Sequence, residues 1–373
     1  MSPMQCVLIG ECSHRVFGLK ARERIIKLAA ANHLTMVNAA TLTETDSPTI
    51  ILDINAVFDE HFLSYLRGLT DTQIMDGDVA LACITSDIKI VKASIKKQKI
   101  TDEDNHLIKI PAHDIPLVFF AKQLKKGNPL IQKLECENIP IVEKKLYRST
   151  YKGVTDLCTK YFWYHLAFYI TRVLAKYRIK PNTVTFFSLI FCTLSPLLIM
   201  KNHFVLGLGC AWLMMILDTV DGKLARLTVT SSKFGDYFDH GMDLIHPPFW
   251  YLAWGIALSK YYQVQFSEIL NLFYVIVIFY ILGRLAELFF KAVMGIKMFL
   301  WQKFDARFRL VMARRNTNFL LLTLSYIAGY PVAGFYAVYY WTIISVLIQY
   351  LRLGQAFQLK QISKKKLKLD YSE

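Results

Sequence analysis

Hydrophobic and polar positions follow two different rhythms along the chain. Up to about residue 140, short apolar runs alternate with amphipathic stretches at the spacing of a soluble α/β domain. "QCVLIG" (5–10) and "TIILDI" (49–54) read as strands, and "ARERIIKLAAANHL" and "DEHFLSYLRGL" read as helices. In the first of these helices Ile25, Leu28 and Ala29 share one face and the charged residues the other. After residue 180 the rhythm is lost in long apolar runs. "PNTVTFFSLIFCTLSPLLIM", between Lys180 and Lys201, carries no charge, and neither does the stretch from Asn316 to Leu351. The first is one helical span, and the second is long enough for two, broken near Gly329, Tyr330 and Pro331. Further spans over roughly 203–220, 240–259 and 266–287 give about six. Only helices satisfy their own backbone in lipid, so this half is an α-helical polytopic membrane bundle preceded by a soluble α/β, Rossmann-like domain.

The expected organisation is an α/β domain over 1–140, a basic linker with an interfacial amphipathic helix over 141–180, the membrane domain over 181–357 and a basic tail over 358–373. The amphipathic helix is expected around "VTDLCTKYFWYHLAFYITRVLAKY" (154–177). Charge adds orientation. The net charge is +15, and much of the basic excess lies in the linker, in "KMFLWQKFDARFRLVMARR" and in "KQISKKKLKL". These segments flank spans, and the positive-inside tendency assigns them to the cytoplasm, where contact with anionic headgroups is their ordinary role. No nucleic-acid-binding motif accompanies the charge. The seven cysteines show no metal-type pair spacing and no secretory signal is recognised, so they read as reduced and structural.

One polar stretch interrupts the apolar half: "DTVDGKLARLTVTSSKFGDYFDHGMD" (218–243), with five aspartates. Asp218, Asp221, Gly222 and Ala225 stand at i, i+3, i+4 and i+7, one face of a helix ending the second span. Gly235, Asp239 and Asp243 stand at i, i+4 and i+8 at the start of the third. Two adjacent helices can therefore aim four carboxylates at one point. That is unfavourable beside lipid unless cations bind between them. Hard oxygen donors suit Mg²⁺, Mn²⁺ or Ca²⁺, and Mg²⁺ keeps positions open for phosphate oxygens. Gly222 and Ala225 leave room for close approach to the helix, and Arg226 offers a fixed charge for phosphate. Asp236 points to another helical face. His240 and His246 fall off the Asp239/Asp243 spacing and read as packing residues.

The pattern D-x2-D-G-x2-A-R-x8-G-x3-D-x3-D, carried by Asp218, Asp221, Gly222, Ala225, Arg226, Gly235, Asp239 and Asp243, resembles the signature of the CDP-alcohol phosphotransferases. "PNTVT" (181–185) also resembles that family's entry to its first membrane helix. The likeness covers about 150–355, with the motif far more specific than the rest. It implies a six-helix membrane enzyme that transfers a phosphoalcohol from a CDP-alcohol to an acceptor hydroxyl and releases CMP, in phospholipid or polar-lipid biosynthesis. It further implies a pair of Mg²⁺ or Mn²⁺ ions held by Asp218, Asp221, Asp239 and Asp243, with Asp243 a ligand or the general base. Gly222, Ala225, Arg226, Gly235, Asn182 and Thr185 are then expected to bind the CDP-alcohol. A phosphorylated acceptor would need a basic pocket, for which Arg284, Arg314 and Arg315 are the candidates; each could equally serve as an interfacial ion pair or a lipid contact.

Expected partners are the bilayer, the CDP-alcohol and its acceptor, and a second copy of the chain, with no nucleic acid. The expected location is a bacterial or archaeal-type cytoplasmic membrane, with the site and the α/β domain on the cytoplasmic side. The α/β domain resembles, more faintly, nucleotidyltransferase-like domains fused ahead of some members of the family. There "LIGECSHRVFG" (8–18) keeps only Gly10 of a glycine-rich phosphate loop before Arg15, so the domain reads as degenerate. Asp53 falls where a metal aspartate would be expected. The alternative is a bifunctional enzyme that makes its own CDP-polyol. A divalent-cation transporter or a silent scaffold would not require the Gly-x2-Ala-Arg segment beside intact aspartates.

Overall fold

The structure, a computed structural model, describes residues 4–43, 47–102, 104–120, 125–151, 153–231 and 233–362. They form two compact units. The first comprises 1–153 with 171–179 and 223–230, and the second comprises 154–170, 180–222 and 231–373.

The first unit is α/β. Its strands are β1 (Gln5–Ile9), β2 (Arg15–Val16), β3 (Leu19–Lys20), β4 (Thr35–Met36), β5 (Thr49–Asp53), β6 (Ala56–Phe58), β7 (Thr72–Asp76), β8 (Val79–Thr85), β9 (Ile108–Pro111), β10 (Val118–Phe120), β11 (Lys125–Gly127) and β12 (Ile131–Lys133). Its helices are α1 (Ala21–Ala31), α2 (Glu60–Leu66), α3 (Ile88–Lys97) and α4 (Ile139–Ser149). The expected strands at 5–10 and 49–54 are β1 and β5, parallel neighbours in a sheet of order β4-β1-β5-β8-β7-β9. Both are buried nearly throughout, which is why they read as continuous apolar runs. One sheet face is covered by Ile25, Leu28 and Ala29 of α1 and Phe62, Leu63 and Leu66 of α2. The other is covered by Ile90 and Val91 of α3. A fully buried side chain of this kind contributes about 1.5–3 kcal/mol. The sheet is mixed because β8 runs antiparallel to both β5 and β7. A two-residue turn closes the β7–β8 hairpin, and its first residue, Gly77, has the positive φ (60°) such turns demand.

Beyond α4, which fills the start of the expected linker, the chain is helical in two further pieces. A π-helical turn over Cys158–Phe162 ends at Trp163 before α5 (Tyr164–Lys176), whose exposed side carries Leu166, Tyr169 and Val173. The second unit is built on α6 (Pro181–Met200), α7 (Phe204–Leu227), α8 (Lys233–Tyr261), α9 (Phe266–Met294), the short α10 (Lys303–Val311), α11 (Arg315–Ile327) and α12 (Pro331–Ile362). The expected break at 329–331 is present: Gly329 takes φ +82° and Pro331 opens α12, a first-turn position where its missing N–H costs nothing. Of the six helices that match the expected spans, α6, α7, α9 and α12 are long and apolar enough to cross a membrane. Acidic residues crowd the first half of α8, and α11 has only 13 residues. Large apolar side chains such as Phe186, Phe187, Val205 and Ile278 are exposed, as lipid-facing residues are. Gly207 lets α7 approach α6 closely, since a Cβ there would meet the Ser195 carbonyl at 3.0 Å.

The carboxyl end of α7 departs from sequence rules. Thr230 N donates to Ala225 O (2.8 Å) and Val229 N to Arg226 O (3.4 Å), the 6→1 and 5→2 bonds of a Schellman cap. Its left-handed position is normally glycine, yet here it is Val229 with φ +53°. For a β-branched residue that costs roughly 1–2 kcal/mol. Val229 offsets this by packing on the apolar cluster formed by α1, α2 and the sheet.

Candidate functional site

Helix α7 contributes Asp218 and Asp221, α8 contributes Asp243, and α6 contributes Thr185. Arg315, the first residue of α11, joins the first two helices. Its Nη2 donates to Asp218 Oδ2 (2.7 Å) and its Nη1 to Asp243 Oδ1 (2.5 Å). The guanidinium thus engages one oxygen of each carboxylate from a nearly enclosed position, its side chain 13% exposed. Asp221 is buried and accepts from the Thr185 hydroxyl (2.7 Å). Behind Arg315, Asn316 Nδ2 lies 3.4 Å from Thr159 Oγ1, and Thr159 in turn donates through N (3.0 Å) and Oγ1 (2.8 Å) to Asp156. Burial alone would raise the Asp156 carboxyl. The Thr159 N–H, followed by Arg309 and Asn316, holds it below the usual range.

The expected site residues are therefore only partly brought together. Asp218 and Asp243 meet through Arg315, while Asp221 is bound to Thr185. The side chains of Asp236, Asp239 and His240 lie outside the described residues. Among the described residues no group of three or more carboxylates, histidines or cysteines is gathered closely enough to hold a metal ion. The donor set is nonetheless all hard oxygen, and Arg315 stands with positive charge between two of its members, so the residues present fit a divalent cation. Asn182 is exposed in the first turn of α6, and Gly235 lies in the first turn of α8. Ala225 and Arg226, in the last turn of α7, belong to the α/β unit. His246 is buried, bonds Met242 O through Nδ1 (2.6 Å) and packs edge-on against Trp250.

The three candidate arginines divide. Arg284 and Arg314 line a cleft together with Glu287, Tyr280 and Gln349, whereas Arg315 belongs to the aspartates. Glu287 takes both cations: Arg314 Nη2 bonds its Oε1, and Arg284 Nη1 lies 3.9 Å from its Oε2. Tyr280 ties the cleft to the aspartates. Its hydroxyl donates to the carbonyls of Asp243 (3.3 Å) and Leu244 (3.1 Å), and Arg284 Nη2 reaches that hydroxyl at 3.4 Å. Nearby Arg309 is pushed down to about 9 by burial and by the like charge of Arg314. Sequence reasoning missed the pairing role of Arg315 and the bridge through Tyr280. The only sequence signal for either was a charged pair, Arg314–Arg315, at the head of an otherwise uncharged span.

In the α/β unit, Gly10 follows β1 with φ +77°, and its N–H donates to Gln98 Oε1 (3.2 Å). Asp53 Oδ1 accepts from Asn55 N (2.8 Å) and Nδ2 (3.0 Å), so this carboxylate is engaged locally.

Comparison with known proteins bears on the helical half. Residues 178–352 match the family model described as CDP-alcohol phosphatidyltransferase. An uncharacterized CDP-alcohol phosphatidyltransferase class-I family protein of Schizosaccharomyces pombe is 32% identical over 37% of this chain and 38% of its own length. Cholinephosphotransferase 1 of Xenopus laevis is 29% identical over 31% of this chain and 30% of its own. CDP-diacylglycerol–serine O-phosphatidyltransferase of Helicobacter pylori is 35% identical over 23% of this chain and 35% of its own. The chain thus spans between about three-tenths and two-fifths of the length of these relatives.

Proposed function

We infer, from the match of residues 178–352 to the CDP-alcohol phosphatidyltransferase family model, that the protein moves a phosphoalcohol group from a CDP-alcohol to an acceptor hydroxyl and releases CMP. The observation that carries this reading is Arg315, which draws the two halves of the aspartate signature, Asp218 on α7 and Asp243 on α8, to one guanidinium. In the reaction the acceptor oxygen bonds to the β-phosphorus, the bond from that phosphorus to the CMP oxygen breaks, and the acceptor's proton leaves. Asp243, the more open of the two carboxylates at 46% exposed, takes that proton. Arg226 binds phosphate oxygens, and Gly222 and Ala225 border the nucleotide. Asp218, Asp221, Asp239 and Asp243 would hold Mg²⁺ or Mn²⁺, which when bound neutralises phosphate oxygens and stabilises the leaving CMP. Arg315 fixes the spacing of Asp218 and Asp243 and supplies part of the charge that such close carboxylates need.

A phosphorylated acceptor is favoured by the cleft beside the aspartates. Two arginines there share one carboxylate, so a phosphate entering between them meets uncompensated positive charge. The basic segments flanking the spans support a cytoplasmic site. The α/β unit is read as non-catalytic, with Asp53 engaged by Asn55 rather than free for a metal. The test is CMP release by the purified full chain with Mg²⁺, offering CDP-diacylglycerol and CDP-polyols in turn against inositol, glycerol and their phosphates. No CMP release from any pair would overturn the reading.

A further inference from the structure

Residues 223–230 are the part of the signature segment that belongs to the α/β unit, and they are held there from three directions. From α1, the buried Arg24 donates through Nη1 to the carbonyl of Leu227, the last residue of α7. The carbonyls of Leu224, Ala225 and Arg226 are taken by the N–H groups of Thr228, Thr230 and Val229. A cation from elsewhere in the fold therefore completes the cap of this helix, at the end where the helix dipole favours positive charge. After α4, Lys223 is buried, donates to Thr150 O (3.1 Å) and sits 3.1 Å from the centroid of the Tyr151 ring. Beneath the turn, the sheet's apolar cluster holds Val229 in a left-handed conformation that valine avoids on its own.

A strained conformer persists only where its surroundings over-determine it. Here the over-determined turn is the one that carries Ala225 and Arg226. We propose that the α/β unit is a positioning device for the nucleotide site: Arg24, Lys223 and Val229 fix the last turn of α7 so that Ala225 and Arg226 stand ready for a cytidine diphosphate group. This rests on the functional reading above for the identity of the ligand, though not for the hold itself. None of the three residues touches substrate in this scheme. They act through the turn.

The experiment compares the full chain in detergent with Val229→Gly, Lys223→Met and the conservative Lys223→Arg. Hydrogen–deuterium exchange of the 223–231 peptide reads the hold without any ligand, and calorimetric titration with CDP and Mg²⁺ reads its consequence. Glycine takes positive φ without strain, so Val229→Gly is expected to keep its melting temperature within about 2 °C while the peptide exchanges roughly tenfold faster. CDP should bind about tenfold more weakly to Val229→Gly and Lys223→Met, with Lys223→Arg largely restored. Unchanged exchange would overturn the hold. Faster exchange with wild-type CDP affinity would overturn the positioning role. A wild-type chain that binds no CDP would defeat the functional reading and the substrate consequence together, and exchange would still decide the hold.

Discussion

Two charge clusters in the helical unit are mirror images. At the aspartates, two carboxylates share one guanidinium, Asp218 and Asp243 on Arg315. In the cleft, two guanidiniums share one carboxylate, Arg284 and Arg314 on Glu287. The first triad is left one negative charge in excess and the second one positive. Charge excess in a poorly solvated place is expensive unless a ligand of opposite sign completes it. On the proposed function, the negative remainder would be completed by a cation and the positive one by an anion, with Arg284 and Asp243 coupling the two clusters. The α/β unit offers a control: the buried Asp59 is acted on by Arg24 and Lys125 on one side and by Glu60 on the other, so the charges balance.

The sharpest way to break this contrast is Asp218→Asn. It removes the excess at the aspartates, and CMP release should fall by about three orders of magnitude while the chain stays folded. Retained turnover would mean that no cation is needed there. Next is Arg315→Lys, which keeps the charge but loses the fork that spans both carboxylates, so kcat should fall roughly 10- to 100-fold. In the cleft, Arg284→Gln and Arg314→Gln should raise KM for a phosphorylated acceptor about tenfold or more and leave the CDP-alcohol KM alone. An equal change in both KM values would dissolve the distinction between the clusters.

The control predicts a smaller effect, in stability alone. Burial pushes the Asp59 carboxyl up to about 6 from its ordinary 3.8, against the opposing pull of the Phe62 and Leu130 N–H groups. The native state thus binds more protons than the unfolded chain between those values. Stability must fall as pH rises from about 4 to 6 and stay level above. Asp59→Asn keeps the acceptor for the Phe62 N–H (2.9 Å) and should flatten that slope, a change of about 1–3 kcal/mol in denaturant melts at pH 7. The smallest expected effect is none at all: the full chain given CTP and phosphorylated polyols should release no pyrophosphate above background. Sustained, polyol-dependent release would restore a bifunctional enzyme.

Periodicity carried much of this architecture. The alternating runs around β1 and β5 and the uncharged stretch broken at Gly329 and Pro331 are direct readings of burial, because each element buries what its own rhythm presents. Of the aspartate spacing, the meeting of Asp218 and Asp243 is what the described residues show, α7 and α8 each supplying one of the pair. Arg315 was not legible, because it lies 97 residues from Asp218 and 72 from Asp243, and only the packing of α11 joins them. The end of α7 was hidden differently. The apolar span was expected to stop near 220 with its helix carrying the signature on through Ala225, and α7 does run on to Leu227; what was hidden is how it stops. Its stop signal is a valine where the sequence code uses glycine, made tenable by contacts from α1 and the sheet.

The shortness of α11 bears on depth. Its 13 residues rise about 20 Å, against a hydrocarbon thickness of about 30 Å. Its far end turns within three residues into α12, whose apolar stretch begins at Pro331, and with both helices set across a bilayer that end would lie at a membrane boundary. Arg315, at the near end of an upright α11, would then stop about 10 Å short of the opposite boundary. In that setting the paired aspartates would sit in a recess below the headgroup plane rather than on the surface. Under the proposed function, a substrate with acyl chains would slide its diphosphate sideways into that recess without leaving the leaflet, while a water-soluble acceptor would descend to it. Turnover should therefore respond to bilayer thickness, rising in vesicles of shorter acyl chains, where the descent is less.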